Sequence, residues 1–178
     1  EDICAYMNQY LPEDICVLSV EEVAPRFHAR LNAVRKTYVY RIWNAPVRPV
    51  FERKYVTWIE QPLDVDAMRR AAELLCGTHD YRAFCSLKKF KKSTVRTVKE
   101  INIEHLGKEI RISYTGDGFL YHMVRILTGT LVEVGEGAQK PEDMPTILMS
   151  MDRANAGKLM PPEGLTLECV EYEDNLKK

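Results

Sequence analysis

The stretch Gly116-Asp117-Gly118 followed by Phe119-Leu120-Tyr121-His122-Met123-Val124-Arg125-Ile126-Leu127-Thr128-Gly129 constrains the fold of this chain more than any other. Glycine tolerates the backbone angles of a tight turn and aspartate caps helices well, so the pattern predicts a turn leading straight into a helix over 119–134. At about 100° per residue, Phe119, Leu120, Met123, Val124, Ile126, Leu127, Leu131 and Val134 share one wide arc. Arg125 falls on the opposite side with Tyr121, Thr128, Gly129 and Val132, where no further charge occurs until Glu133. A solvated face carries more charge than that, so the helix is expected to be covered on both sides, with one arginine held in a cleft. Periodicity alone leaves equal room for an ordinary arginine beside the core.

The surrounding pattern is that of an α+β chain with a mixed, mainly antiparallel sheet and helices packed on it. Residues 1–10 read as the end of a helix closed by Leu11-Pro12. Strands are expected over 15–23, 36–44 and 54–60, the second rich in Tyr, Val, Ile and Trp. Tyr38, Tyr40 and Ile42 would share one face of it, and Val39, Arg41 and Trp43 the other. Asp64 or Asp66 is placed to cap a helix running to Cys76 and stopped by Gly77. Strands over 94–103 and 109–114 flank a turn at His105-Leu106-Gly107-Lys108. Pro141 opens a short helix ending near Met151, and 165–172 alternates as a last strand. At 178 residues the chain suits one domain, or one domain with an attached lobe.

Net charge is -1, but the charges are segregated. Residues 23–51 hold six Arg and Lys and no acid; residues 81–99 hold seven and again no acid, leaving -14 for the remainder. One surface is therefore expected to meet a polyanion. In the first stretch the arginines alternate with Phe27, His28, Tyr38, Tyr40 and Trp43, suiting phosphates and unstacked bases together. Lys88 to Lys92 fit either the same surface or a plainly solvated loop. Nothing approaches the run of roughly 20 apolar residues of a membrane helix, and no signal peptide is visible. The chain opens without Met, as if in mid-protein. Cys4, Cys16, Cys76, Cys85 and Cys169 lack C-x-x-C spacing, which favours reduced cytosolic thiols over disulfides or zinc. Cys16, Cys76 and Cys169 read as small buried residues.

Catalytic motifs are sparse. His79-Asp80 has no companion histidines at ligand spacing, so metal chemistry is not expected. Cys85, ahead of the lysine cluster, reads as a structural thiol rather than a nucleophile. A basic, aromatic strand region and one isolated arginine are parts for holding an RNA nucleotide out of its stack, not a complete catalytic set.

Several ordered motifs, spanning roughly Leu11 to Tyr172, resemble one family. Phe27-His28-Ala29-Arg30 and Arg35-Lys36-Thr37-Tyr38-Val39-Tyr40-Arg41-Ile42 resemble the F-H-A-R and R-x-Y-x-Y-x-I segments of the tRNA pseudouridine synthases of the TruA type. Leu75-Cys76-Gly77-Thr78-His79-Asp80-Tyr81-Arg82-Ala83-Phe84 is similar to its L-x-G-x-H-D-F-x-x-F, which makes the His-Asp pair structural. Thr94-Val95-Arg96-Thr97-Val98, Gly118 through Gly129, Val132 through Gly137, Asp152-Arg153-Ala154 and Pro161-Pro162-Glu163-Gly164-Leu165 match further segments. Leu31-Asn32 departs from the usual Phe-Ser.

The resemblance implies the pseudouridine synthase fold and isomerisation of uridine to pseudouridine in the anticodon stem-loop of tRNA, without cofactor or metal. An aspartate nucleophile works at the ribose, and the released uracil turns and rejoins through C5. Arg125 would pair with that aspartate, and Tyr38 would pack on the target base. Arg26, His28, Arg30, Arg35 and Lys36 would contact the RNA. A cytoplasmic homodimer is implied as well. The family's aspartate lies in a G-R-T-D-x-G motif upstream of F-H-A-R, and no such motif occurs in these 178 residues. The expectation is therefore a C-terminal, RNA-binding and catalytic-support domain without its N-terminal lobe, inactive by itself. The alternatives are a non-catalytic RNA-binding module and an unrelated α+β ligand-binding domain.

Overall fold

A computed structural model describes residues 2–173. These residues divide into two compact units, one drawn from 2–33 with 172–173, the other Val34–Glu171.

In the first unit α1 (Ile3–Asn8) is capped by the Asp2 carboxylate, which accepts from the amides of Cys4 and Ala5. The strand expected over 15–23 is not there. The Asn8 side chain takes both backbone groups of Val17, donating to its carbonyl and accepting from its amide, each at 2.8 Å. Those groups are thereby lost to a ladder, and in that stretch only Val23 makes a bridge. Phe27 packs edge-on against Tyr172, whose hydroxyl donates to the Ala29 carbonyl.

The second unit holds β1 (Ala33–Asn44), β2 (Thr57–Ile59), α2 (Val65–Leu74), β3 (Gly77–Asp80), β4 (Val95–Leu106), β5 (Glu109–Gly116), α3 (Met123–Gly135), α4 (Met144–Ser150) and β6 (Leu165–Tyr172). The sheet runs β2-β1-β5-β4-β3, and β6 pairs with β1. The β1–β5, β5–β4 and β4–β3 ladders are antiparallel, while β1–β2 is parallel. This is the mixed, mainly antiparallel α+β architecture expected from the sequence. One face of the sheet, including Tyr40, Ile42, Ile103, Ile112 and Tyr114, is buried with Met68, Ala71 and Leu75 of the α2 region and Ile126, Leu127 and Leu131 of α3. Burying each large side chain of this set contributes about 1.5–3 kcal/mol.

The Asp64 carboxylate, not that of Asp66, caps α2 by accepting from the Ala67 amide at 2.9 Å. Gly77, at φ 117°, turns the chain out of the helix directly into β3. The sequence reading missed β3, because Gly-Thr-His-Asp has no strand pattern; it forms by pairing along β4, from Gly77 opposite Val98 to Asp80 opposite Val95. The strand expected over 54–60 shrinks to three residues. Cys85 is buried and Cys76 half-buried, but Cys16 and Cys169 are exposed, so the expected burial of those two is corrected. Cys16 lies in residues 12–22, all exposed except the half-buried Val17, and Cys169 ends the exposed 166–169 run of β6.

Candidate active-site cleft

The turn before α3 differs from the sequence expectation in one consequential way. Asp117 does not cap the helix. Its carboxylate accepts from the Thr97 amide at 3.0 Å while its own amide donates to the Thr97 carbonyl, tying the turn to β4. Gly116 lies so close to that strand that a Cβ would sit 2.7 Å from the Thr97 carbonyl oxygen. The helix begins only at Met123, after His122 in the left-handed region at φ 65°. Phe119 and Leu120 are therefore not helical, and instead form a wall.

That wall, the start of α3, Tyr38 of β1 and the segment around Pro162 enclose a cleft of about 190 Å³, room for one planar ring. Tyr38 lies opposite Tyr114 in the β1–β5 ladder, on the helix-covered face. Tyr40 on that face is fully buried, whereas Tyr38 is only half-buried and meets Phe119 edge-on at 5.3 Å between ring centroids.

Arg125 enters from α3, half-buried. Its Nε donates to the Met160 carbonyl at 2.6 Å, and the Met160 amide donates back to the Arg125 carbonyl. Its Nη nitrogens have no hydrogen-bond acceptor and no carboxylate in ion-pair contact among the described residues. The periodicity left a cleft arginine and a core-edge arginine equally open; the cleft is what the structure has.

What makes the cleft is the 156–162 strap, which covers the Arg125 side of α3. The Gly157 amide donates to Thr130 Oγ1 and the Lys158 amide to Glu133 Oε1, at 2.9 and 2.8 Å. A Cβ on Gly129 would overlap the Lys158 carbonyl oxygen. Tyr40 Oη donates to the Pro161 carbonyl at 2.7 Å and shares a hydrogen bond with Thr57 Oγ1. Burial pushes the Tyr40 hydroxyl up to about 12. The strap was invisible to a search for functional side chains because it acts through backbone groups; its only sequence signal was the Pro161-Pro162-Glu163-Gly164-Leu165 segment.

His122 stands beside the cleft, with Nδ1 3.1 Å from Ser86 Oγ. Partial desolvation, and secondarily the nearby Arg125 charge, hold its imidazole below the ordinary value and hence neutral at pH 7.

The other residues singled out from the sequence distribute between the two units. Arg26, His28 and Arg30 are exposed in the first. His28 Nδ1 accepts from the amides of Arg30 and Leu31, and its own amide donates to Asn32 Oδ1 at 2.7 Å. Asn32 thus closes this turn, while Leu31 is exposed. In the second unit, Arg35 is paired with Glu171 at 2.9 Å. Lys36 lines a shallow basin with Arg96 and Phe119. His79 is structural, its Nε2 2.9 Å from the Cys76 carbonyl oxygen. Among the described residues no group of three potential metal ligands occurs, and no helix is long and apolar enough to cross a membrane.

The fold, a mixed and mainly antiparallel sheet with helices packed on it, is that of an α+β pseudouridine synthase domain. A sequence profile described as tRNA pseudouridine synthase matches residues 71–173. The tRNA pseudouridine synthase A of Brevibacillus brevis is 46% identical over 166 residues, covering 93% of this chain and 68% of that protein. That of Moorella thermoacetica is 48% identical over 166 residues, with the same coverage of 93% and 68%. That of Bacillus sp. strain KSM-64 is 45% identical over 172 residues, 97% of this chain and 70% of its own length. The chain belongs to the tRNA pseudouridine synthase family, whose members are isomerases, and it spans about two thirds of the length of these relatives.

Proposed function

We propose that this chain is the C-terminal, RNA-binding and catalytic-support part of an enzyme that isomerises uridine to pseudouridine in the anticodon stem-loop of tRNA. The observation that carries the reading is Arg125, half-buried beside Tyr38 with its Nη groups unpaired among the described residues. A guanidinium in that state suits a carboxylate supplied from outside residues 2–173. Paired bidentately, it would hold the nucleophilic aspartate ionised and oriented towards the ribose carbon. Tyr38 packs on the extruded base, and Phe119 stiffens that ring from the side. The aspartate displaces the uracil from the ribose carbon, the uracil turns within the cleft, and its C5 bonds to that carbon as the aspartate leaves and the C5 proton passes to solvent, a reaction that needs neither cofactor nor metal. Arg26, His28, Arg30 and Lys36 contact the RNA; Arg35 does so after parting from Glu171. The enzyme works as a cytoplasmic homodimer, and this chain without the G-R-T-D segment is inactive.

The test is tritium release from tRNA carrying C5-tritiated uridine, with the complete natural protein beside this chain. Release by the complete protein alone is expected. Release by neither would favour a non-catalytic RNA-binding module, and release by this chain alone would remove the external aspartate from the mechanism.

A further inference from the structure

Apart from Arg96, which shares the basin of Lys36, the seven cations of residues 81–99 have no part in the site described above. In the fold, four of them line one cavity of about 420 Å³ between the 87–93 loop and the 119–121 segment: Lys89, Lys91, Lys92 and Arg96, with the rings of Phe90 and Tyr121. No acidic side chain lines it, and the three lysines have no ion pair among the described residues. Both rings are held in place. The Arg82 guanidinium lies 5.4 Å from the Phe90 centroid and is itself paired with Asp80 at 3.8 Å. Tyr121 stacks on His122 at 3.7 Å and 26°, and remains 56% exposed. The Ser86 amide donates to the Tyr121 carbonyl, linking the two walls. Phe119 and Leu120 line both this cavity and the Tyr38–Arg125 cleft, so the two are separated by a single wall.

Uncompensated ammonium groups hold phosphates, and a fixed aromatic ring with an exposed face stacks an unpaired base; this cavity offers both, one wall away from the cleft for the target base. We infer that it is a second nucleotide subsite, which takes the base and phosphate of a nucleotide next to the one held between Tyr38 and Arg125. The lysines bind the phosphate, Tyr121 and Phe90 the base. This inference rests on the synthase reading above and adds to it where the flanking nucleotide goes.

The experiment uses the complete natural protein and tRNA, measuring tritium release and binding as a function of salt. The loop variant Lys89→Gln/Lys91→Gln/Lys92→Gln, exposed and without core contacts, is expected to raise KM about tenfold or more with kcat kept. Its log-affinity against log-salt slope should shrink by about 0.7, the share of one phosphate contact on a single strand. In a second arm, tRNA abasic at the nucleotide on either side of the target uridine is compared with Tyr121→Ala. Each change alone should cost roughly 5- to 150-fold in kcat/KM, and the two together no more than one alone. An unchanged salt slope in the lysine variant, or fully additive losses in the cycle, overturns the subsite while wild-type turnover leaves the synthase reading standing. Absence of turnover in the wild type overturns that reading, and the subsite with it.

Discussion

Arg125 and Met160 hold each other through two hydrogen bonds, Nε to the Met160 carbonyl at 2.6 Å and the Met160 amide to the Arg125 carbonyl at 3.3 Å. The guanidinium plane is fixed by a segment 35 residues downstream, so its Nη edge is presented in one orientation without a rotamer search on binding.

Arg125→Lys in the complete protein keeps the charge but loses both the Nε bond to the Met160 carbonyl and the planar fork. Tritium release should fall roughly 100-fold or more, while tRNA affinity stays within about twofold. Turnover comparable to wild type would remove Arg125 from the site.

Tyr38→Ala removes the ring that meets Phe119 at 5.3 Å. Capture of the extruded base should weaken, with kcat/KM down roughly tenfold or more, whereas Tyr38→Phe keeps most of the stacking surface. Equal kinetics for Tyr38→Ala and wild type would exclude the ring from substrate contact.

Gly129→Ala drives a methyl group into the Lys158 carbonyl. Strap and helix must part, with overpacking of this kind costing about 1–3 kcal/mol. The melting temperature should drop by roughly 2–10 °C for a chain of this size. Because the strap also carries Met160, the variant should lose activity beyond what its melting point explains. An unchanged melting temperature would mean that the strap is not packed against α3 in solution.

Alkaline pH should unfold the second unit. Tyr40 rises from the ordinary tyrosine value of 10.0 to about 12 because burial penalises the phenolate, and burial raises Tyr81 and Tyr114 as well. A raised folded-state value stabilises the fold fully below pH 10, and that stability is lost as pH climbs through 12. For Tyr40 the loss is about 3 kcal/mol, at about 1.4 kcal/mol per pH unit. Urea midpoints between pH 9 and 12 measure it. Tyr40→Phe should cost about 1–3 kcal/mol at neutral pH, by leaving Thr57 and Pro161 unpaired, and should flatten the alkaline slope. An equally steep slope in that variant would assign the transition to other groups.

Much of this molecule was legible because its elements follow local rules. The strand over 36–44, a helix capped at Asp64 or Asp66 and stopped by Gly77, and the hairpin closed at Gly107 are decisions taken within a few residues, and each stands in the fold, with Asp64 as the cap. Illegible elements depended on partners distant in sequence. β3 exists because β4 offers a ladder to a tetrapeptide with no strand character. Residues 15–23 fail as a strand because Asn8 takes the Val17 backbone groups first.

The site divides in the same way. By itself the sequence determined that α3 is apolar on nearly every side with a single arginine, that the basic residues are segregated, and which family motifs are present, since these are properties of residue order. Only the tertiary structure decided that Arg125 stands in a cleft rather than beside the core. It also decided that Phe119 is a wall rather than a helical residue. Both follow from the backbone of 156–162 and the left-handed His122, which join segments far apart in the chain through main-chain hydrogen bonds. Such bonds are open to every residue type, and so leave almost no trace in the sequence.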